Sequence, residues 1–386
     1  MDRNFKVAVV GPHAAGKTTL LASVFTDTQK RLASTSLTVR MDGPTKVRVD
    51  KHSKTLAAAI TREEFNPKAL EGTQSIEHFH FSLRSLGDAE LEVPFDILDY
   101  PGGWLDAATR QRAGVTDKRW AQCEEHIANS IMLMVPIDAA VLMEARTPTQ
   151  RAAAQHWLGI HEVVEMAGVW GRFRNLPDHR EEPALVMLVP IKCEKYLDPA
   201  RGAGTDASAL RERVREVYAD LLETLAEEFA HRSLRLIYAP VETYGCVRLV
   251  DGEWDAGERE DFPKFTGTYR FTGNPPKIAV RGTEVIVREL CGSVLEGQKL
   301  VKAAQEAAQR GSQQALLKAV SQPRGFWGAL SYRFSGERRE DLQNAGAAGA
   351  AADMAQRNRN QLEADLAWLA HAPQRSSRSE EWKVAK

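Results

Sequence analysis

Phe5-Lys6-Val7-Ala8-Val9-Val10-Gly11-Pro12-His13-Ala14-Ala15-Gly16-Lys17-Thr18-Thr19 is the stretch on which the fold turns. Residues 5 to 10 form a short β-branched run that stops at Gly11, the pattern of a buried parallel strand entering a loop. Gly11 to Thr18 then matches GxxxxGK[ST] in full, and Leu20, Leu21, Val24 and Phe25 give the next segment the apolar stripe of a helix. In such a loop the glycines let the backbone curl until its N–H groups point at phosphate oxygens, and the helix N-terminus adds its positive end. Lys17 then reaches for the β and γ phosphates, and Thr18 offers a hydroxyl to Mg²⁺. The candidate nucleotide contacts here are Gly11, Pro12, His13, Ala14, Ala15, Gly16, Lys17, Thr18 and Thr19. His13 is either a γ-phosphate contact or a solvent-facing loop residue.

Outward from this loop, the first helix fades near Ser34 to Ser36, and residues 36 to 72 have no strong period, which predicts an insertion or mobile loop. Ile76 to Leu86 alternates, with Phe79, Phe81 and Leu83 on one face, and Leu91 to Leu98 is a second strand; the two pair as a hairpin around Gly87-Asp88. Ile131 to Ile137, Leu185 to Val189 and Leu234 to Ala239 are further strands separated by helical stretches, the clearest spanning 207 to 230. This order predicts an α/β fold, a doubly wound, mainly parallel sheet with one antiparallel edge strand. Residues 245 to 290, including the β-prone Glu284 to Arg288, read as a β-rich insertion, and a helix from Ser293 to Gln309 closes a domain of residues 1 to 310. Residues 311 to 373 read as a helical appendage, with Leu362, Leu366 and Leu369 on one face, and 374 to 386 as a disordered tail.

The run Phe95-Asp96-Ile97-Leu98-Asp99-Tyr100-Pro101-Gly102 is a strand ending in DxxG, about eighty residues after the loop. In this order it resembles the corresponding element of the translation-factor and Ras-like class of P-loop GTPases. The resemblance implies that Asp99 holds Mg²⁺ through a water and that the Gly102 amide senses the γ-phosphate, so the catalytic roles fall to Lys17 and Gly102. It also implies a switch threonine before the paired strand, for which Thr73 is the candidate, with Ser75 and other threonines of 36 to 72 as competitors. Segment 36 to 72 and the residues after Gly102 would be the switches.

Guanine selection in this class comes from [NT]KxD after the fifth strand, and here that place reads Ile191-Lys192-Cys193-Glu194. Lys192 and Glu194 align with the base-contacting pair; Ile191 replaces Asn or Thr. Pro240-Val241-Glu242-Thr243 stands at the class's last base-contacting loop and departs from its pattern, so no side-chain role carries over. A water-orienting glutamine is replaced by Gly103, which predicts hydrolysis at or below about 10⁻⁴ to 10⁻³ per second for the isolated chain. Arg110 and Arg112 are the candidates to assist in cis, against a reading as a solvated helix face.

Asp99-Tyr100-Pro101-Gly102-Gly103-Trp104-Leu105 also resembles the YcjX-like bacterial stress proteins, and the loop with Pro136-Ile137-Asp138-Ala139-Ala140 is similar to bacterial double-GTPases. The resemblance covers about the first 240 residues. It implies GTP/GDP and Mg²⁺ as cofactors, an unidentified protein effector or activating partner, and a possible homo-oligomer. An ATPase or ATP-dependent regulator, and a scaffold without turnover, are the alternative readings.

The chain has 386 residues and a formal net charge of -1, which argues against a protein built as a whole to coat nucleic acid or anionic lipid. No apolar run reaches the roughly 20 residues of a membrane span and no secretory signal opens the chain, so a cytoplasmic location is expected. Cys123, Cys193, Cys246 and Cys291 form no CxxC pair and predict reduced thiols. His78 and His80 share a strand face, yet no third ligand stands near them in sequence, so surface or pairing roles are expected. His161 to Glu165 lacks the second histidine of a zincin helix. The aromatic-basic run Arg324 to Phe334 fits a partner or membrane contact or burial against the core.

Overall fold

The computed structural model describes residues 4–13, 15–33, 35–62, 65, 75–86, 92–177, 179, 182–198, 203–255, 262–309, 348–371 and 378–383. Thr73, Ala14, the turn at Gly87-Asp88 and the whole segment 311 to 347, with the run 324 to 334 in it, lie outside the described residues.

Strand β1 (Phe5–Val9) is buried along nearly its whole length and pairs in parallel with β4 (Glu92–Asp99) on one side and β5 (Met132–Asp138) on the other. A strand covered on both faces can be continuously apolar, which is what Val7, Ala8 and Val9 supply. Parallel pairing continues through β6 (Leu185–Ile191) to β7 (Arg235–Tyr238). On the other flank β3 (Glu77–Ser85) runs antiparallel to β4, with Phe79 opposite Ile97 and Phe81 opposite Phe95. The sheet is therefore α/β and mainly parallel at its centre, as expected.

Its edges differ from the expectation. β3 is not the edge, because β2 (Leu37–Met41) pairs antiparallel outside it, and β10 (Glu380–Trp382) pairs antiparallel with β7 at the far end. The region expected to be an aperiodic insertion thus contains β2 and helix α2 (Gly43–Thr61), which Asp42 caps by accepting from the Thr45 amide at 2.8 Å. Only Thr45, Val49 and Leu56 of α2 are buried, too narrow a stripe to give a clear period. Residues 378 to 383 of the expected disordered tail are likewise ordered. Trp382 is buried with its ring stacked on Tyr238 at 5.2 Å, and the Arg215 guanidinium lies 4.5 Å from the Trp382 ring centre.

Helices cover both faces. On one, α1 (Lys17–Leu32) buries Leu20, Leu21, Val24 and Phe25 against Phe79, Phe81 and Phe95, with the Phe25 ring 5.0 Å edge-on to Phe81. After a short surface helix with no buried side chain, α3 (Ala107–Arg112), the other face carries α4 (Asp117–Ala128), α5 (Ala139–Met143), α6 (Pro148–Trp157), α7 (Ile160–Arg174), α8 (Ala203–Val217) and α9 (Ala219–Glu228), where Trp170 is fully buried and donates to the Ser130 carbonyl at 2.7 Å. The expected helix over 207 to 230 is two helices, interrupted at Tyr218 with φ -99° and ψ 20°.

The region 245 to 290 is a hairpin of β8 (Val247–Asp255) and β9 (Lys264–Phe271) followed by α10 (Thr283–Gln309). The Glu284 to Arg288 run is helical, not β; Val285, Ile286 and Val287 are buried in the cluster that holds α1, so tertiary burial overrides their strand preference. The last helix, α11 (Ala348–His371), packs against α10, and its Leu362, Leu366 and Leu369 join that same cluster. Over residues 348 to 371 the appendage is therefore part of the main core, because its apolar stripe finds its partner there. All four cysteines are free and buried. Among the described residues no helix is long and apolar enough to cross a membrane.

Candidate functional site

Parallel strands that share a direction deliver their outgoing loops to one edge of the sheet, which is where open α/β sheets bind ligands. Here the loops leaving β1, β4, β5, β6 and β7 meet there. Gly16 stands at the entry to α1 with φ 83°, a left-handed conformation that an L side chain rarely adopts, and a Cβ there would lie 2.7 Å from Ile191 Cδ1. The turn therefore requires glycine twice over, for its backbone and for the packing of β6 against it.

Lys17 is buried and folds back over this loop, its Nζ donating to the carbonyls of Gly11 at 3.1 Å and Pro12 at 3.2 Å. The ammonium also lies 5.6 Å from the Tyr100 ring centre. Burial lowers its pKa, and the neighbouring Asp99 carboxylate opposes that shift. Thr18, the next residue, donates its hydroxyl to Asp99 Oδ2 at 2.7 Å, joining the start of α1 to the end of β4. Thr18 and Asp99, two of the candidate residues, are thus brought together, with Lys17 beside them. Thr73 and Ala14 lie outside the described residues.

After Asp99 the chain turns into a short 3₁₀ segment, Gly102–Leu105, whose Trp104 and Leu105 are buried. Gly102 lies directly against the loop leaving β1. A Cβ on it would come within 2.2 Å of the Pro12 carbonyl and 2.3 Å of the His13 nitrogen. His13 itself is exposed. Arg110 is not free to act on a ligand: its guanidinium donates to the carbonyls of Trp104 at 2.5 Å and Leu105 at 2.8 Å and sits 4.1 Å from the Trp120 ring centre. Arg110 braces the turn after Gly102. Arg112 bonds Thr109 at 3.0 Å on the exposed side of the same helix.

From β6, Lys192 adopts φ 54° and forms an ion pair with Asp138 at the end of β5. Asp138 also caps α5 through the amides of Ala140 at 3.0 Å and Val141 at 3.2 Å. Sequence reasoning did not assign Asp138 this part; the signal was its position at a strand end before Ala139-Ala140. Glu194 is half-buried and accepts from the Tyr244 amide at 3.4 Å. Burial pushes its carboxyl up to about 7, with the Tyr244 and Gly245 amides pulling the other way. The loop after β7 contributes backbone here, not the side chains of Pro240 to Thr243. Glu242 pairs instead with Arg378 at 2.7 Å, and the Thr243 carbonyl accepts from Ser23 at 3.0 Å.

His78 and His80 have the pairing role expected of them, and their shared partner is a buried carboxylate that also faces a third histidine. His78 Nδ1 lies 2.7 Å from Asp96 Oδ1, His80 Nδ1 3.5 Å from the same oxygen, and His126 Nδ1 3.7 Å from Oδ2. The third and fourth members come from β4 and α4, 18 and 48 positions from His78, beyond any local spacing rule. Burial pushes the His126 imidazole down to about 4, the Asp96 charge opposing it. No protein-family model matches this chain, and no curated protein is significantly similar to it.

Neither Gly102 nor Gly103 has a positive φ, so alanine at either position tests packing alone. Gly102→Ala should destabilise the protein by about 1–3 kcal/mol in urea unfolding through overpacking against Pro12 and His13. Gly103→Ala, whose Cβ meets only a Thr109 methyl at 3.0 Å, should stay within about 0.5 kcal/mol of wild type. Equal effects would contradict the close approach of Gly102 to the loop.

Proposed function

We propose that the chain is a Mg²⁺-dependent guanine-nucleotide switch of the P-loop GTPase type with slow intrinsic hydrolysis. The observation that carries the reading is the Thr18 to Asp99 hydrogen bond of 2.7 Å beside the buried Lys17, in a loop that also meets Gly102. A hydroxyl and a carboxylate at this distance are a hard oxygen donor set, which suits Mg²⁺ and not a soft metal. Thr18 and Asp99 would hold the ion; when bound it neutralises phosphate charge. Lys17 would exchange its two carbonyl partners for phosphate oxygens, a charge-assisted bond in place of neutral ones.

Gly102 is the γ-phosphate sensor in this reading. Its contact with Pro12 and His13 leaves no slack, so a group entering the loop must be accommodated by the segment that Arg110 braces. No side chain at Gly103 orients water, and both cis arginine candidates are engaged elsewhere, which supports slow turnover and an activating partner of unknown identity. Lys192 and Glu194 would address the base. Glu194 must be ionised to accept the ring N1–H and the exocyclic N2 amino hydrogen of guanine, yet its site leaves it about half protonated near pH 7, which supports weak selectivity over adenine.

Titration of the purified chain with labelled GTP and ATP, with and without Mg²⁺, tests the reading: GTP should bind more tightly and depend on Mg²⁺. Equal or tighter ATP binding would replace it with an ATP-dependent regulator, and no binding of either with a scaffold. Lys17→Ala should weaken GTP binding at least tenfold, or about 1.4 kcal/mol, and unchanged affinity in a folded variant would exclude the site.

A pH series separates the base contact from the phosphate contacts. Because the free protein holds a proton on Glu194 below about pH 7, guanine binding must expel it. Affinity for GDP should therefore fall by up to about tenfold per unit as pH drops below 7 and level off above it. Glu194→Gln should flatten that part of the profile; a profile unchanged by the substitution would remove Glu194 from the base site.

A further inference from the structure

On the face of β3 and β4 opposite α1, three elements converge on one buried carboxylate. Asp96 is 3% exposed and lies opposite His80 in the strand register. Around it stand His78, whose ring is stacked on His80 with centroids 5.5 Å apart, and His126 from α4, edge-on to His78 at 5.4 Å. His126 is 5% exposed. Its Nε2 lies 3.2 Å from the Val7 carbonyl. A carbonyl can only accept, so Nε2 carries the hydrogen. The other ring nitrogen, Nδ1, faces Asp96 Oδ2 at 3.7 Å in a buried setting. A cation held between the two, a proton or a metal ion, would join them.

We infer that His78, Asp96 and His126 form a binding site for one divalent transition-metal ion of the zinc class, fastening β3 and β4 to α4. The donor atoms of these three residues lie within 4.8 Å of one another. A four-coordinate ion with bonds of about 2.0 to 2.1 Å separates its donors by roughly 3.3 Å, so the set closes on an ion through small side-chain rotations. Imidazole nitrogen with one carboxylate selects zinc, copper or nickel over Mg²⁺ or Ca²⁺. The Val7 carbonyl supplies the outer partner that a metal-bound imidazole ordinarily has, fixing the His126 tautomer. An entry path exists as well, since the His78 and His80 side chains are 37% and 41% exposed while His126 and Asp96 form the floor. His80 borders the remaining coordination position, which it or a water fills. The site is independent of the nucleotide reading, although its two supports flank the same edge: β4 continues into Asp99, and α4 follows the turn after Gly102.

The test uses the untagged full-length chain stripped with a chelator and titrated with Co²⁺ and then Zn²⁺. The expected result is one Co²⁺ per chain, with the visible absorption of a four-coordinate site, displaced by Zn²⁺ and unaffected by excess Mg²⁺. His78→Ala, at a half-exposed position that folding tolerates, should lower Co²⁺ affinity at least tenfold, as should His126→Gln where that variant folds. The exposed His161 on α7 serves as control, and His161→Ala should change nothing. Absence of saturable Co²⁺ binding, or affinity unaltered by His78→Ala, would overturn the site and leave a hydrogen-bonded histidine cluster.

Discussion

The Thr18 hydroxyl reaches 81 positions along the chain to the Asp99 carboxylate, and most of the architecture serves to make that contact possible. It requires β1 and β4 to be parallel neighbours in register, with Phe5 opposite Phe95 and Ala8 opposite Leu98, so that both strands end at the same level. It also requires the turn at Gly16, because only a left-handed residue there starts α1 with Lys17 and Thr18 facing the strand ends. The apolar cluster under α1 holds this helix against the sheet, and the contacts of Gly102 with the loop close the arrangement from the other side.

Around that contact the site is built from several loops and no single one suffices. Asp138 joins Lys192 to α5, and Glu194 is tied to the backbone after β7, so the loops after β5, β6 and β7 are braced against one another. The turn after Gly102 is braced by Arg110 and by the ring of Trp120. In the proposed reading this turn is the element that responds to the γ-phosphate, and it leads directly into α4, which carries His126.

What the sequence makes legible is local. Strand, glycine turn and helix follow one another within residues 5 to 32, and the Asp99 strand announces itself by its apolar run and its terminal DxxG. Legibility fails where the partner lies far away. β2 and α2 were hidden because α2 buries only three side chains, and Glu284 to Arg288 looked like a strand because its β-branched residues carry no record of the helix layer that covers them. Leu362, Leu366 and Leu369 showed a helical stripe without showing that it belongs to the main core. The histidine cluster escaped for the same reason, since Asp96 and His126 join His78 only after β3 pairs with β4 and α4 packs on the sheet.

Hydrogen exchange measured with Mg²⁺ and either a non-hydrolysable GTP analogue or GDP tests the central claim most directly. The account predicts that the analogue protects the amides of Gly102 to Trp104 more strongly than GDP does, because the turn is the part in contact with the loop where the γ-phosphate would sit. A difference confined to α10 and α11, with Gly102 to Trp104 exchanging equally in both states, would contradict it.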